Sequence, residues 1–424
     1  MSSTVPDSSP HALWTRLGTR RLYIWGAGQQ GRGVARILRR NGLQVRGFID
    51  SSRQLHGTEA LDLPVLGPES ALAESPADGR PFVIIASFFF ENNIAEQCRR
   101  FGLRDDIDFI SYKQFKPFDY AIDISGGCNL RCISCPRATR HELHPPTGFM
   151  AAATFARVLD KILGEDPLVG NIQLYQWGEP LLNPQLPEIL RLANARGVQC
   201  AVSSNLNVNR DLAPVIEAGP AWFRVSVSGT GEDYEKTHTG ASWRRLRDNL
   251  EELSRLKASL NPEMKTEIFY HIYKHNQGES LDRVRELCVR LGFEFHPVWA
   301  YLISLDDVLE YLEGGQLSEE AGEAASLLAL DLDRGMALAR KERDRECLVE
   351  RCIHINWNLT VSHCMMFFYP RDNIAAKNFL QTPLAEIQKA RKSCRLCRRC
   401  RSQALHRYCS VYSTEQVSAR DENP

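Results

Sequence analysis

The sequence lacks net charge, a long apolar run and any repeat of short period. Its 52 Lys and Arg are balanced by 52 Asp and Glu over 424 residues, so no overall field draws in nucleic acid or an anionic membrane. The longest strongly apolar run, Phe82–Phe90, is far too short to span a bilayer. The opening MSSTVPDSSP has no charged segment followed by an apolar stretch, so no signal peptide is expected. A cytoplasmic protein with no nucleic-acid or membrane partner is expected. What remains is an ordinary globular composition, 43% apolar and 25% charged, long enough for two or three cores.

Against this background the cysteines stand out. Of thirteen, three lie within eight residues (Cys128, Cys132, Cys135) and seven lie towards the C-terminal end (Cys347, Cys352, Cys364, Cys394, Cys397, Cys400, Cys409). Only Cys98, Cys200 and Cys288 are isolated. In a cytosolic chain, clustered cysteines read as metal ligands rather than disulfides.

The fold class reads as α/β throughout. From Arg21 the pattern runs strand, glycine turn, helix, strand, in RLYIW, GAGQQGRG, VARILRRNG and QVRGFID, which ends at Asp50. Strand-like FVIIAS and IDFIS follow, with ENNIAEQCRRFG between them, giving an α/β domain of ordinary size over 1–115. A second series starts at Phe118. FDYAIDIS, NIQLYQWG, VQCAVSSN, WFRVSVSG, TEIFYHIYK and FEFHPVW read as strands, with helical stretches between most of them. Such alternation means a parallel sheet. Six units predict a partial (β/α)6 barrel over 116–300, with its chemistry at the C-terminal ends of the strands. A charged helical connector is expected over 301–345, a small cysteine-rich, loop-like extension over 346–412 and a polar disordered tail over 413–424.

The first barrel strand leads straight into ISGGCNLRCISCPR, spaced Cys128-x3-Cys132-x2-Cys135. Three thiolates on one loop can hold three irons of a [4Fe–4S] cluster and leave the fourth iron open to a chelating small molecule. Gly126 and Gly127 are expected to let the loop bend around it. Spacing alone also allows a catalytic zinc centre with an open position.

The triplet resembles the signature of radical S-adenosylmethionine (SAM) enzymes, and the resemblance covers about residues 118–300. WGEP, Trp177 to Pro180, is similar to the family's glycine-glycine-glutamate-proline motif with Trp in place of the first glycine. Gly178, Glu179 and Pro180 are thereby implied to receive the SAM amino group. Further SAM contacts are implied for Ser203 and Asn205 in SSN, and for Ser226 and Ser228 in SVSG. Ser134 stands where the family often has a bulky apolar residue packing on adenine, which leaves that contact to Ile133 or another strand. The resemblance implies reductive cleavage of SAM, hydrogen abstraction from a substrate carbon, and an external one-electron donor such as flavodoxin or ferredoxin. Cys200 and Cys288 read as core residues, although a thiol can also donate hydrogen to a substrate radical.

The C-terminal cysteines resemble the SPASM extension, which holds auxiliary iron–sulfur clusters behind such barrels. Its single-cluster pattern is matched to Cys352, Cys364, Cys397 and Cys400 for a [4Fe–4S] cluster. Asn358 or Leu359 occupies the turn where a glycine is usual, and Asn tolerates left-handed backbone. Cys347, Cys394 and Cys409 are left over, to replace one of the four or to serve a second cluster. A zinc knuckle of Cys394, Cys397, Cys400 and Cys409 is the alternative. Arg395, Arg398, Arg399 and Arg401 are expected to offset thiolate charge rather than to meet nucleic acid.

At the front, Gly26-x-Gly28-x2-Gly31 lies between a strand and a helix, and Asp50 ends the next strand, the context of a nucleotide fingerprint. The glycines would admit a phosphate at the helix N-terminus, and Asp50 would accept from a ribose hydroxyl. The stretch resembles the Rossmann-like domain that precedes sugar acyltransferases of bacterial surface-glycan pathways and binds nucleotide-linked sugars. A turn kept only for tight packing is the alternative. Taken together, the expected substrate is a sugar, nucleotide-linked in particular, or another small polar metabolite. Modification of a ribosomally made peptide and a zinc-binding non-enzymatic protein are the competing readings.

Overall fold

The structure, a computed structural model, describes residues 17, 20–72, 80–87, 90–114, 118–143, 145–347, 349–368 and 373–412. The tail expected over 413–424 lies outside the described residues. The backbone falls into two compact units, one within 1–119, 159–171 and 193–199, the other within 120–158, 172–192 and 200–424.

The first unit holds β1 (Leu22–Trp25), β2 (Val45–Ile49), β3 (Glu59–Ala60), β4 (Leu63–Leu66), β5 (Phe82–Ile85) and β6 (Phe109–Ser111). They are ordered β3-β4-β2-β1-β5-β6; β1 pairs parallel with β2 and β5, as do β2 with β4 and β5 with β6, whereas β3 runs antiparallel to β4. The central strands LYIW and FVII are buried at every residue, as expected of parallel strands covered on both faces. The order reverses beside β1, with β2 on one side and β5 on the other. Doubly wound sheets bind ligands at such a reversal. Gly26 stands there at φ +114° and the helix Gln29–Arg40 begins just beyond it.

The second unit carries β7 (Asp119–Ile122), β8 (Asn171–Gln173), β9 (Gln199–Ser204), β10 (Trp222–Val227), β11 (Lys265–Ile272) and β12 (Glu294–Trp299), adjacent in chain order. This is the partial barrel. The strands alternate, so that in β10 Phe223, Val225 and Val227 are buried while Trp222, Arg224 and Ser226 stay partly open on the other face. Several expected strands end early: β7 stops at Ile122 and β8 at Gln173. The residues that follow turn over the rim, which is where a barrel carries its chemistry.

The extension is not loop-like. Beyond β7 the same sheet continues into β13 (Cys352–Ile355), β14 (Val361–Ser362) and β15 (Ile374–Ala376), paired antiparallel. Helices Leu384–Lys392 and Arg395–Ser402 follow. Strands this short carry too few alternations to declare a period, which is why the sequence pattern hides them. Leu359 takes the left-handed turn position at φ +71°. The connector is helical, as Leu305–Leu312, Glu319–Ser326 and Leu332–Lys341, and it shares one apolar core with Leu396, Leu405, Tyr408 and Tyr412 of the extension. Among the described residues no helix is long and apolar enough to cross a membrane.

Candidate active site

Asp123, just past β7, organises the rim. Its carboxylate accepts from the backbone N–H groups of Gln176 at 3.0 Å, Trp177 at 3.0 Å and Gly178 at 3.2 Å. The WGEP turn is thus hung from the strand that leads to the cysteine loop. The fit leaves no room for a side chain at Gly178, where an added Cβ would lie 1.7 Å from Ser125 O. Glu179 N donates to Gly127 O at 2.8 Å. Arg137, two residues past Cys135, clamps both loops by donating to Trp177 O and Gly126 O, each at 2.8 Å.

Gly126 has another role than the one expected. Neither it nor Gly127 has left-handed backbone. Instead, an added Cβ on Gly126 would lie 2.1 Å from Trp357 Nε1, so the glycine makes room for an indole of the β13–β14 turn. Ser134 is buried and its hydroxyl meets Tyr273 Oη at 2.9 Å. Ile133, the expected adenine contact, is half-buried and packs against the core of the connector and extension.

The three cysteines of the loop are free thiols. Burial pushes Cys128 up to about 12, helped by the Glu179 charge. Burial likewise pushes Cys132 well up, followed by the charges of Cys135 and Cys128. A close group of enclosed thiols therefore needs bound cationic metal to ionise at neutral pH. The donor set fits an iron–sulfur cluster in this respect. Among the described residues no three His, Cys, Asp or Glu side chains are gathered tightly enough to hold a single metal ion.

Glu179 is 2% exposed. Its carboxylate accepts from Leu181 N at 2.9 Å, Ser204 Oγ at 2.8 Å and Asn205 N at 2.8 Å. Burial raises it to about 7 against the pull of these donors. Asn205 also extends its amide to Cys128 Sγ at 3.7 Å and to Asn129 Oδ1 at 3.0 Å. Asn205, Glu179 and Cys128 are therefore one connected group. Ser203 and Ser226 stand half-open on β9 and β10. The Ser228 hydroxyl is buried with no hydrogen-bond partner among the described residues, an orphan that a polar ligand would satisfy.

The radical SAM superfamily profile matches residues 122–287, which span the cysteine loop, the WGEP turn and β9 to most of the helix after β11. Members of that superfamily are enzymes that use a [4Fe–4S] cluster and SAM. An AdoMet-dependent heme synthase from Oleidesulfovibrio alaskensis is 28% identical over 123 residues, covering 28% of this chain and 30% of the relative. A GTP 3′,8-cyclase from Chlorobaculum tepidum is 28% identical over 196 residues, covering 43% of this chain and 56% of the relative. The chain thus spans less than two-thirds of the length of either curated relative. Among solved structures, Streptococcus suis SuiB bound to S-adenosylmethionine is 14% identical with TM-score 0.43, over 70% of this chain and 76% of that one.

Two residues that organise this rim carry no distinctive sequence motif, Asp123 and Arg137. The signal for Asp123 was a lone acid in the apolar run YAIDI. A third, His354 of β13, brings Nε2 to 3.3 Å from Asp123 Oδ2 and Nδ1 to 3.0 Å from Ser362 Oγ. Cys200 and Cys288 are each 1% exposed and belong to the core.

Of the four expected auxiliary-cluster ligands, Cys364, Cys397 and Cys400 lie within electrostatic reach of one another. Cys347, Cys364, Cys400 and Cys409 each lie within electrostatic reach of the other three. Cys397 meets Cys394, Cys364 and Cys400. Cys352 stands apart, packed with Ala121 and Met365. At the front, Asp50 does not face an open site with both oxygens free. Oδ2 accepts from Ala27 N and Oδ1 from Ser52 N, each at 2.9 Å. Gly28 precedes the helix without a side-chain cap, and Gly31 approaches Gly26 O so closely that a Cβ would lie 1.7 Å away. Asp50 closes the turn, and any ribose contact would use its remaining lone pairs.

Proposed function

We propose that this chain reductively cleaves SAM at a [4Fe–4S] cluster held by Cys128, Cys132 and Cys135, and abstracts hydrogen from a carbon of a sugar or another small polar metabolite. The observation that carries this reading is the link from Cys128 through Asn205 to Glu179, which joins three separate sequence motifs at one rim. When bound, the cluster and SAM together supply a carbon-centred radical that no side chain could provide. The residues present position the pair. Glu179, enclosed and raised by burial to about 7, offers an acceptor to an amino group. Asn205 and the free Ser228 hydroxyl offer further polar contacts. The anaerobically reconstituted protein should form 5′-deoxyadenosine when reduced, and Cys132→Ala should abolish it. Full activity in that variant overturns the reading.

For the extension we propose an auxiliary [4Fe–4S] cluster on Cys347, Cys364, Cys400 and Cys409, because each of the four lies within electrostatic reach of the other three. The nucleotide-linked sugar is proposed from the reversal of strand order beside β1 and the uncapped helix start at Gly28. A peptide substrate is the second reading, favoured by the gathered cysteines of the extension. A one-electron donor such as flavodoxin or ferredoxin completes the proposed system.

A further inference from the structure

One guanidinium lies inside the barrel and serves none of the roles above. Along β10 and β11, Trp222, Arg224 and Ser226 are in register with Lys265, Glu267 and Phe269, and share their face. Arg224 donates from Nε to Glu267 Oε1 at 2.6 Å. Aromatic rings hold its plane, with the Phe269 centroid at 4.5 Å, Trp222 at 5.2 Å and Tyr175 at 6.0 Å. Its two terminal nitrogens have no hydrogen-bond partner among the described residues, and 24% of the side chain remains accessible. Glu267, by contrast, is 3% exposed and committed to this pair and to Lys265 at 4.0 Å.

This arrangement is half-finished. An arginine fork presents two parallel N–H groups that match a carboxylate or phosphate edge-on. Leaving such donors without acceptors inside a protein is unfavourable. Burial holds the nearby His271 near 4, so it carries no charge at physiological pH. The position also fits a substrate. Arg224 is in register with Ser203, and Ser226 lies two residues further towards the rim on the same face. That places Arg224 level with Ser203 and about 7 Å along the strand from Ser226.

We propose that Arg224 holds an oxyanion of the substrate, a carboxylate or a phosphoryl group, in the barrel lumen. Calling the ligand a substrate rests on the radical SAM reading, but the anion site itself does not. The test is calorimetry on the full-length reconstituted protein without SAM, titrated separately with inorganic phosphate and with acetate. Wild type should bind at least one probe, phosphate marking a phosphoryl substrate and acetate a carboxylate. Arg224→Gln should weaken that binding about ten-fold or more, while Arg224→Lys, which keeps the charge and loses the fork, should fall between. SAM affinity, titrated in parallel, should stay near the wild-type value. Because Arg224→Gln leaves Glu267 enclosed without its partner, the pair Arg224→Gln with Glu267→Gln is measured beside it as the neutral, better-folded comparison. Unchanged affinity in these variants, no binding of either probe by wild type at tens of millimolar, or a parallel loss of SAM binding would each overturn the proposal. Absence of SAM cleavage in wild type would instead sink the radical SAM reading and leave the anion site standing.

Discussion

The two cysteine groups of this chain are built in opposite ways. The barrel triplet sits on one loop, and its three thiols are brought together by eight residues of sequence. The C-terminal group is assembled by tertiary structure: Cys347 precedes β13, Cys364 follows β14, Cys400 lies on the helix Arg395–Ser402 and Cys409 comes after it. Spacing along the chain groups the first, whereas the second depends on which elements pack together. Cys352 fits the expected pattern along the chain, yet it shares a strand face with His354, the residue that meets Asp123. That places its thiol against Ala121 and Met365 rather than among the other cysteines.

The largest effect expected from this comparison is on iron content. Cys347→Ser should remove about one four-iron cluster per chain, whereas Cys352→Ser should leave iron and sulfide unchanged. Chemical analysis of both anaerobically reconstituted variants decides it. The opposite pattern would mean that chain spacing, not the observed gathering, identifies the ligands.

The same contrast explains how much could be read beforehand. Strands β7 to β12 each contain an apolar, β-prone run between helices of clear period, so the barrel was legible. The cysteine loop, Glu179 and Asn205 were legible because each lies at a strand end with distinctive residues. The contacts that join them were not, because Asp123 reaches the WGEP turn, and Trp357 reaches Gly126, from more than fifty residues away. Gly126 is a case in point, since its missing Cβ accommodates a distant indole. Asp50 was read as open to a ribose because the pattern shows a strand-end acid but not the two backbone N–H groups that occupy it.

A second, narrower test concerns the barrel rim alone. Gly178→Ala puts a Cβ into Ser125 O, which backbone on both sides cannot yield cheaply. SAM affinity should fall on the order of a hundred-fold or more, a loss of about 3 kcal/mol. Ser125 leads into the cysteine loop, so iron at the first site is measured beside SAM affinity and the loss is read in protein that retains its iron. Binding is followed by the change in the reduced protein's electron paramagnetic resonance signal on adding SAM. An unchanged titration would show that the turn does not hold SAM.

The smallest effect tests whether the two regions communicate. His354 is carried by the hairpin of the extension, yet it contacts the carboxylate from which the WGEP turn hangs. Asp123→Asn replaces one acceptor oxygen by a donor facing backbone N–H groups, and should weaken SAM binding by roughly ten-fold or more. His354→Gln removes only the outer partner, so a loss of about 1 kcal/mol, or some five-fold in SAM affinity, is expected. Iron content should stay intact in both, because neither residue is placed among the ligands. The ranking is informative. If His354→Gln instead loses the auxiliary iron and leaves SAM affinity alone, the hairpin serves its own cysteines. If it loosens SAM while both clusters persist, the hydrogen bond from β13 to Asp123 is how the fold-assembled cysteine region supports the loop-assembled one.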